Sequence, residues 1–167
     1  MYKIIDNFLP EKDFNHLKHI MESGQFPWFK QSHVAFFEKP KKSHWYFTHM
    51  FLIDKEGPSD FYRIIDEVFI QTKKIQGMLI RVKGNLYPKN DIIVEHDWHT
   101  DYPFKHNGAI FYLNNNNGHT ILEDGTKIES IENRMLFFDP SKKHKSTNCT
   151  DTMYRININF NYMAMDY

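Results

Sequence analysis

The sequence predicts a mostly β jelly-roll sandwich braced by two helices, and three observations predict it. From Met78 onward, seven short runs rich in β-branched and aromatic residues follow one another without helical periodicity. Turn-forming clusters, Asn114-Asn115-Asn116-Asn117-Gly118 and Asp124-Gly125 among them, separate these runs as hairpin or loop signals. Before Gly77, apolar residues recur at helical spacing in two stretches only. Many short strands with polar turns argue for a sandwich, with helices covering one sheet from outside and the mouth between the sheets left for ligands.

In chain order, Tyr2 to Ile5 reads as a short extended start. Pro10 suits a first helical turn, Phe14, Leu17, Ile20 and Met21 form an apolar face, and Gly24 ends the helix. His44 to Ile53 is the longest strand of the first half, followed by a turn at Gly57-Pro58-Ser59. Phe61, Ile64, Ile65, Val68 and Phe69 make the stripe of a helix laid on a sheet, with Gly77 marking its end. The later strands are read at Met78 to Tyr87, Ile92 to Thr100, Ala109 to Leu113, Thr120 to Leu122, Met135 to Phe138, His144 to Asn148 and Tyr154 to Tyr162.

A chain of 167 residues, 41% hydrophobic and 16% aromatic, has the material for one domain, with 1–77 as a helix-containing support region and 78–167 as the jelly-roll core. Acidic and basic residues balance at 21 each, which removes the basic excess expected of a nucleic-acid or membrane-surface binder. The single cysteine, Cys149, cannot form an intramolecular disulfide, the opening residues lack a secretion signal, and no apolar run is long enough to cross a bilayer. A soluble cytoplasmic protein is expected.

The chemistry gathers at His99-Thr100-Asp101. On an extended strand, residues i and i+2 share a face, so an imidazole and a carboxylate can hold one metal ion between them. Two histidines and a carboxylate on one face of ferrous iron leave the opposite face open for co-substrate and oxygen. His144, 43 positions after Asp101, can return beside them across several strands. Arg155 follows 11 positions later, on a run whose even positions are apolar and odd ones polar, so it faces the polar mouth, where a guanidinium matches a carboxylate bidentately.

The pattern His-x-Asp, then His, then Arg resembles the 2-oxoglutarate and Fe(II)-dependent dioxygenases, in particular their prolyl 4-hydroxylase-like branch. Ile4-Ile5-Asp6-Asn7-Phe8-Leu9-Pro10, Ala109 to Asn114, Asn133 to Asp139, and His144-Lys145-Ser146-Thr147 with Tyr154-Arg155-Ile156-Asn157 extend the likeness over most of the chain. The resemblance implies a double-stranded β-helix, cupin-like, with His99, Asp101 and His144 as catalytic metal ligands for Fe(II). It implies Arg155 as the cation for the distal carboxylate of 2-oxoglutarate, with Tyr87 as a helper and Tyr112 as a second candidate. It further implies O2 as co-substrate and ascorbate as an accessory reductant. The expected reaction couples oxidative decarboxylation of 2-oxoglutarate to succinate with hydroxylation of a substrate C–H bond in a protein, peptide or small molecule, such as a peptidyl proline. The chain departs from the branch at Asn117-Gly118-His119, where relatives commonly carry a glycine pair.

Simpler readings stand beside these. His96 and His99 are spaced as a zinc pair, but on a strand they point to opposite faces. Trp98 reads as core and Cys149 as a small buried residue, while His106 and His119 read as loop residues and His16 and His19 as exposed. Trp45, Tyr46 and Phe47 read as packing. A non-catalytic metal-containing jelly-roll binding module is the alternative function, and a zinc hydrolase using Glu95 as base comes after it. A gate over the site is expected from Gln25 to Ser43 or from Tyr102 to Gly108.

Overall fold

In a computed structural model of the chain, the described residues are 1–32, 45–53 and 57–164. The elements run β1 (Lys3–Ile5), α1 (Glu11–Glu22), β2 (Phe29–Gln31), β3 (Tyr46–Ile53), β4 (Gly57–Pro58), α2 (Tyr62–Ile65), β5 (Met78–Pro88), β6 (Asn107–Tyr112), β7 (Asn116–Leu122), β8 (Lys127–Ser130), β9 (Arg134–Phe138), β10 (His144–Ser146) and β11 (Tyr154–Met163). A large antiparallel sheet has the order β1-β9-β6-β11-β5-β3-β2, with β4 also on β3, and a smaller sheet has the order β10-β7-β8. Together they form the predicted double-stranded β-helix.

The large sheet has two chemically distinct faces, as alternation along its strands requires. Its outer face carries Phe51, Val82, Phe111, Met135, Ile156, Ile158 and Phe160, which pack against Phe14, Leu17 and Met21 of α1 and Ile64, Ile65, Val68 and Phe69 of the second helical segment. Its inner face is polar at the centre, where β11 sets Arg155, Asn157, Asn159 and Asn161 opposite Tyr87, Asn85, Lys83 and Arg81 of β5. A small apolar cluster, Ile110, Tyr112, Leu122, Ile128 and Leu136, joins the two sheets at one end. The other end is the open mouth.

Three expectations need correcting. The stretch Ile92 to Thr100 is not a regular strand; it is pinned to β10 by isolated bridges at Glu95–Thr147 and His99–His144. The reason is visible at Asn148, whose amide replaces a backbone partner by accepting from the Val94 N–H at 2.6 Å and donating to the Ile92 carbonyl at 2.9 Å. The helix expected to run to Gly77 stops at Ile70, because α2 widens at Asp66–Ile70 into a π-type turn closed by the Gln71 N–H on the Asp66 carbonyl. Asn116 and Asn117 belong to β7 rather than to a loop, and Lys127–Ser130 supplies a strand too short and polar to be read in advance. Asp124-Gly125 makes the expected hairpin turn between them, with Gly125 at φ +85°. The part of the expected gate and strand at residues 33–44 lies outside the described residues.

Candidate metal centre and co-substrate pocket

Ligand atoms of His99, Asp101 and His144 lie within 4.8 Å of one another. The fold brings them together through the His99–His144 bridge, in which each backbone N–H donates to the other's carbonyl at 3.0 and 2.9 Å, while the Asp101 N–H is fixed to the Pro140 carbonyl at 3.0 Å. Each histidine donates its Nδ1–H to the carbonyl two residues earlier, His99 to Asp97 at 3.2 Å and His144 to Lys142 at 3.1 Å. That fixes the tautomer and turns both Nε2 lone pairs inward. Among the described residues His144 Nε2 is buried without a hydrogen-bond partner, the kind of orphan that a metal ion satisfies.

Burial, and the neighbouring His144, push His99 down to about 4, and burial also lowers His144. His99 is therefore neutral at pH 6, burial favours the neutral form of His144 as well, and neutral ligands need shed no proton to bind. Affinity for Mn(II), measured by calorimetry, is expected to change less than about threefold between pH 7.5 and 6. Imidazoles of ordinary pKa would lose about tenfold over that interval, and such a loss would contradict the depressed values.

Asp101 is held from both oxygens. Arg81 Nη2 lies 2.8 Å from Oδ1, and Asn161 Nδ2 donates to Oδ2 at 2.8 Å. Arg81 Nε also donates to Asn161 Oδ1 at 3.0 Å, and Asn161 gives its second amide hydrogen to His106 Nε2 at 3.1 Å. His106 is fixed in turn by Nδ1–H on the Phe104 carbonyl at 2.8 Å. Each carboxylate oxygen keeps a lone pair beyond these contacts. Although burial opposes ionisation, the Arg81 charge and the Asn161 hydrogen bond keep the Asp101 carboxyl well below the usual carboxylate range.

Arg155 is fully buried at the closed end. Its Nε donates to Ser130 Oγ at 2.7 Å, Nη1 to the Thr147 carbonyl at 3.2 Å and Nη2 to Thr120 Oγ1 at 3.2 Å. Of the five N–H groups on a guanidinium, these bonds leave some uncommitted. The group lies 5.3 Å from the Tyr87 ring centre and 5.7 Å from that of Tyr112, so both candidate tyrosines sit beside it. Tyr112 donates to Thr120 Oγ1 at 2.8 Å, and Ser146 Oγ lies 3.4 Å from the Tyr87 hydroxyl. Burial raises both tyrosines, which keeps them protonated and able to donate. A narrow cavity of about 20 Å³ is lined by His99 and His144 together with Tyr87, Thr120, Ser146, Asn157 and Asn159.

Outside the metal ligands the mouth opens into a groove of about 1050 Å³. Tyr46, Thr48, Arg81, Lys83, His99 and Asp101 are among its lining residues, with Phe29, Met50 and Trp98 exposed along it. Trp98 is 41% exposed and lies under Lys145 Nζ at 4.4 Å, which corrects its reading as core. Tyr46 lines the groove as well as packing, its ring stacked on Tyr87 at 5.3 Å. His106, read as a simple loop residue, is buried and props Asn161. Arg81, Lys83 and Asn161 were not singled out from sequence; the alternation Arg81-x-Lys83-x-Asn85-x-Tyr87 carried that signal. His96 is buried with Nδ1 2.8 Å from Ser146 Oγ; Cys149 is buried and His16 and His19 are exposed, as read.

Two antiparallel sheets that close around an inner polar face, with a His–Asp–His cluster at the open end, define a double-stranded β-helix with a candidate metal site. No protein-family model matches the sequence, and no curated protein matches it. Solved structures match it in fold. An oxidoreductase of the 2OG-Fe(II) oxygenase family from Burkholderia pseudomallei superposes with a TM-score of 0.72 at 9% identity, covering 99% of this chain and 86% of that one. The viral collagen prolyl hydroxylase of Paramecium Bursaria Chlorella virus-1, solved with 2-oxoglutarate, gives 0.59 at 15% identity, covering 99% and 96%. A prolyl hydroxylase from Trichoplax adhaerens, in complex with a hypoxia inducible factor peptide fragment, gives 0.60 at 16% identity, covering 97% and 83%. Among the described residues no helix is long and apolar enough to cross a membrane.

Proposed function

We propose that this chain is an Fe(II)- and 2-oxoglutarate-dependent dioxygenase that hydroxylates a substrate C–H bond. The observation that carries the reading is the buried, partnerless His144 Nε2 converging with His99 and Asp101 while Arg155 stands at the closed end of the same inner face. The donor set fits ferrous iron, with two neutral nitrogens and one carboxylate oxygen. In this reading the chain is one domain, with residues 1–77 supporting the core of 78–167, and the lone thiol Cys149 suits a reducing cytoplasm.

His99, Asp101 and His144 would hold the ion, with Asp97 and Lys142 carbonyls, Arg81 and Asn161 fixing the ligand directions. Arg155 binds the distal carboxylate of 2-oxoglutarate through its free N–H groups, and Tyr87 and Tyr112 stay protonated beside that anion. The inner cavity is drawn in to about 20 Å³, the room of one water, so the flexible side chains of Lys83 and Lys145 must swing aside to admit a five-carbon dicarboxylate. Ile110 and the Tyr87 ring keep water from that inner end. The chemistry ferrous iron supplies in such a site is activation of O2 with decarboxylation of 2-oxoglutarate to succinate and oxidation of a C–H bond, ascorbate serving to restore the reduced metal.

A peptidyl proline is the specific substrate we propose, on the strength of the prolyl hydroxylase neighbours. The decisive experiment is anaerobic addition of Fe(II) and 2-oxoglutarate followed by oxygen. A weak visible charge-transfer band and iron-dependent succinate release are expected, with a mass gain of one oxygen on a proline-containing peptide. Calorimetry that finds 2-oxoglutarate uptake with no metal requirement and no succinate would favour a non-catalytic module instead.

A further inference from the structure

We propose that the substrate carries an acid group, a carboxylate or a phosphate, that docks on Lys83 where the inner cavity opens into the groove. The inference rests on the oxygenase reading for its site but on Lys83 for its content. Lys83 lies at the centre of β5, opposite Asn159 of β11 and Met50 of β3, and lines both the groove and the inner cavity. Its ammonium approaches the Tyr46 ring at 5.9 Å and has no ion-pair or hydrogen-bond partner among the described residues. The buried carboxylate of the groove, Asp101, is committed to Arg81 at 2.8 Å, and the other acid lining it, Asp60, is exposed at the rim beside Phe61. The one lining histidine outside the metal cluster, His49, is engaged through both ring nitrogens with the Pro27 carbonyl and Ser59 Oγ.

Charge balance makes this cation conspicuous. A divalent ion, doubly charged 2-oxoglutarate, Asp101, Arg81, Arg155 and Lys83 leave the loaded site with an excess of positive charge, and with Arg155 taken by the distal carboxylate and Arg81 by Asp101, Lys83 is the side chain left without an anion. Arg155 is a fixed fork at the closed end, suited to the invariant co-substrate; Lys83 is a mobile point charge facing the side from which substrate arrives. The loaded site thus retains a positive field at its mouth, which attracts and orients an anion. Phe29, Met50 and Trp98, exposed along the groove, would cover an apolar body attached to the acid group.

The test uses the full chain loaded with Zn(II), which is redox-silent, and 2-oxoglutarate. Calorimetric titrations compare phenyl phosphate and phenylacetate with neutral benzyl alcohol, and acetyl-Glu-Pro-Gly amide with its Gln counterpart. At least one acidic probe is expected to bind about tenfold more tightly than its neutral partner, and which pair discriminates identifies the source as phosphate, free carboxylate or acidic peptide. Lys83→Met should abolish the preference, Lys83→Arg should restore it to within about threefold, and 2-oxoglutarate affinity should fall at least about tenfold less in Lys83→Met than in Arg155→Met. Absence of any acid preference, its persistence in Lys83→Met, or a loss of 2-oxoglutarate affinity in Lys83→Met as large as in Arg155→Met would overturn the proposal. The same titrations without metal or 2-oxoglutarate separate the two readings, since an acid preference that depends on Lys83 but survives where metal-dependent 2-oxoglutarate uptake fails sinks only the oxygenase.

Discussion

Asp101→Ala is expected to abolish turnover, to lower Mn(II) affinity by on the order of a thousandfold and, separately, to destabilise the metal-free protein by about 3 kcal/mol. The first effect follows from loss of the anionic ligand. The loss of stability follows from Arg81, whose guanidinium is 15% exposed and is left near His144 without its carboxylate. His99→Ala isolates the two effects: it removes a ligand but no ion-pair partner, so metal affinity should fall as far while urea denaturation of the metal-free protein shifts much less. If Asp101→Ala keeps Mn(II) affinity to within tenfold, the ligand assignment is wrong.

Gly118→Ala is expected to raise the 2-oxoglutarate dissociation constant about a hundredfold while leaving Mn(II) affinity within about threefold. A Cβ at this position would stand 2.6 Å from Arg155 Cδ and would collide with the Asn148 backbone carbonyl. The Asn148 carbonyl belongs to backbone and yields little, so the chain at residue 118 must shift and Arg155 must move with it, which disturbs the seat formed for its guanidinium by Ser130, Thr120 and Thr147. Arg155→Lys offers a check that adds no bulk: the charge stays, the planar fork is lost, and about tenfold weaker binding is expected. Unchanged 2-oxoglutarate affinity in Gly118→Ala would show that Arg155 does not set it.

The alternation in Arg155-Ile156-Asn157-Ile158-Asn159-Phe160 was enough to place Arg155 on the polar inner face, because a two-residue period admits only two orientations. His99 and Asp101 were found by the same rule although their stretch is no strand; local extension and the backbone pairing with His144 sufficed to put them on one side. What sequence could not supply was partnership. That His106, Asn161 and Arg81 serve Asp101 depends on register between β5 and β11 and on the course of the loop after Pro103, neither of which is encoded locally. Trp98 was misplaced for a related reason, since an irregular segment held by Asn148 has no obligatory inward and outward faces.

The position of Arg81 changes what kind of cofactor the metal can be. Because the carboxylate ligand already has a resident counter-ion and an amide donor, departure of the cation exposes no bare charge to the protein interior. Zinc fingers, whose unmet ligands prevent folding, sit at the opposite extreme. In the proposed oxygenase the ion would then be an exchangeable component drawn from the surroundings, and the fraction of working molecules would follow the supply of free metal rather than the history of folding.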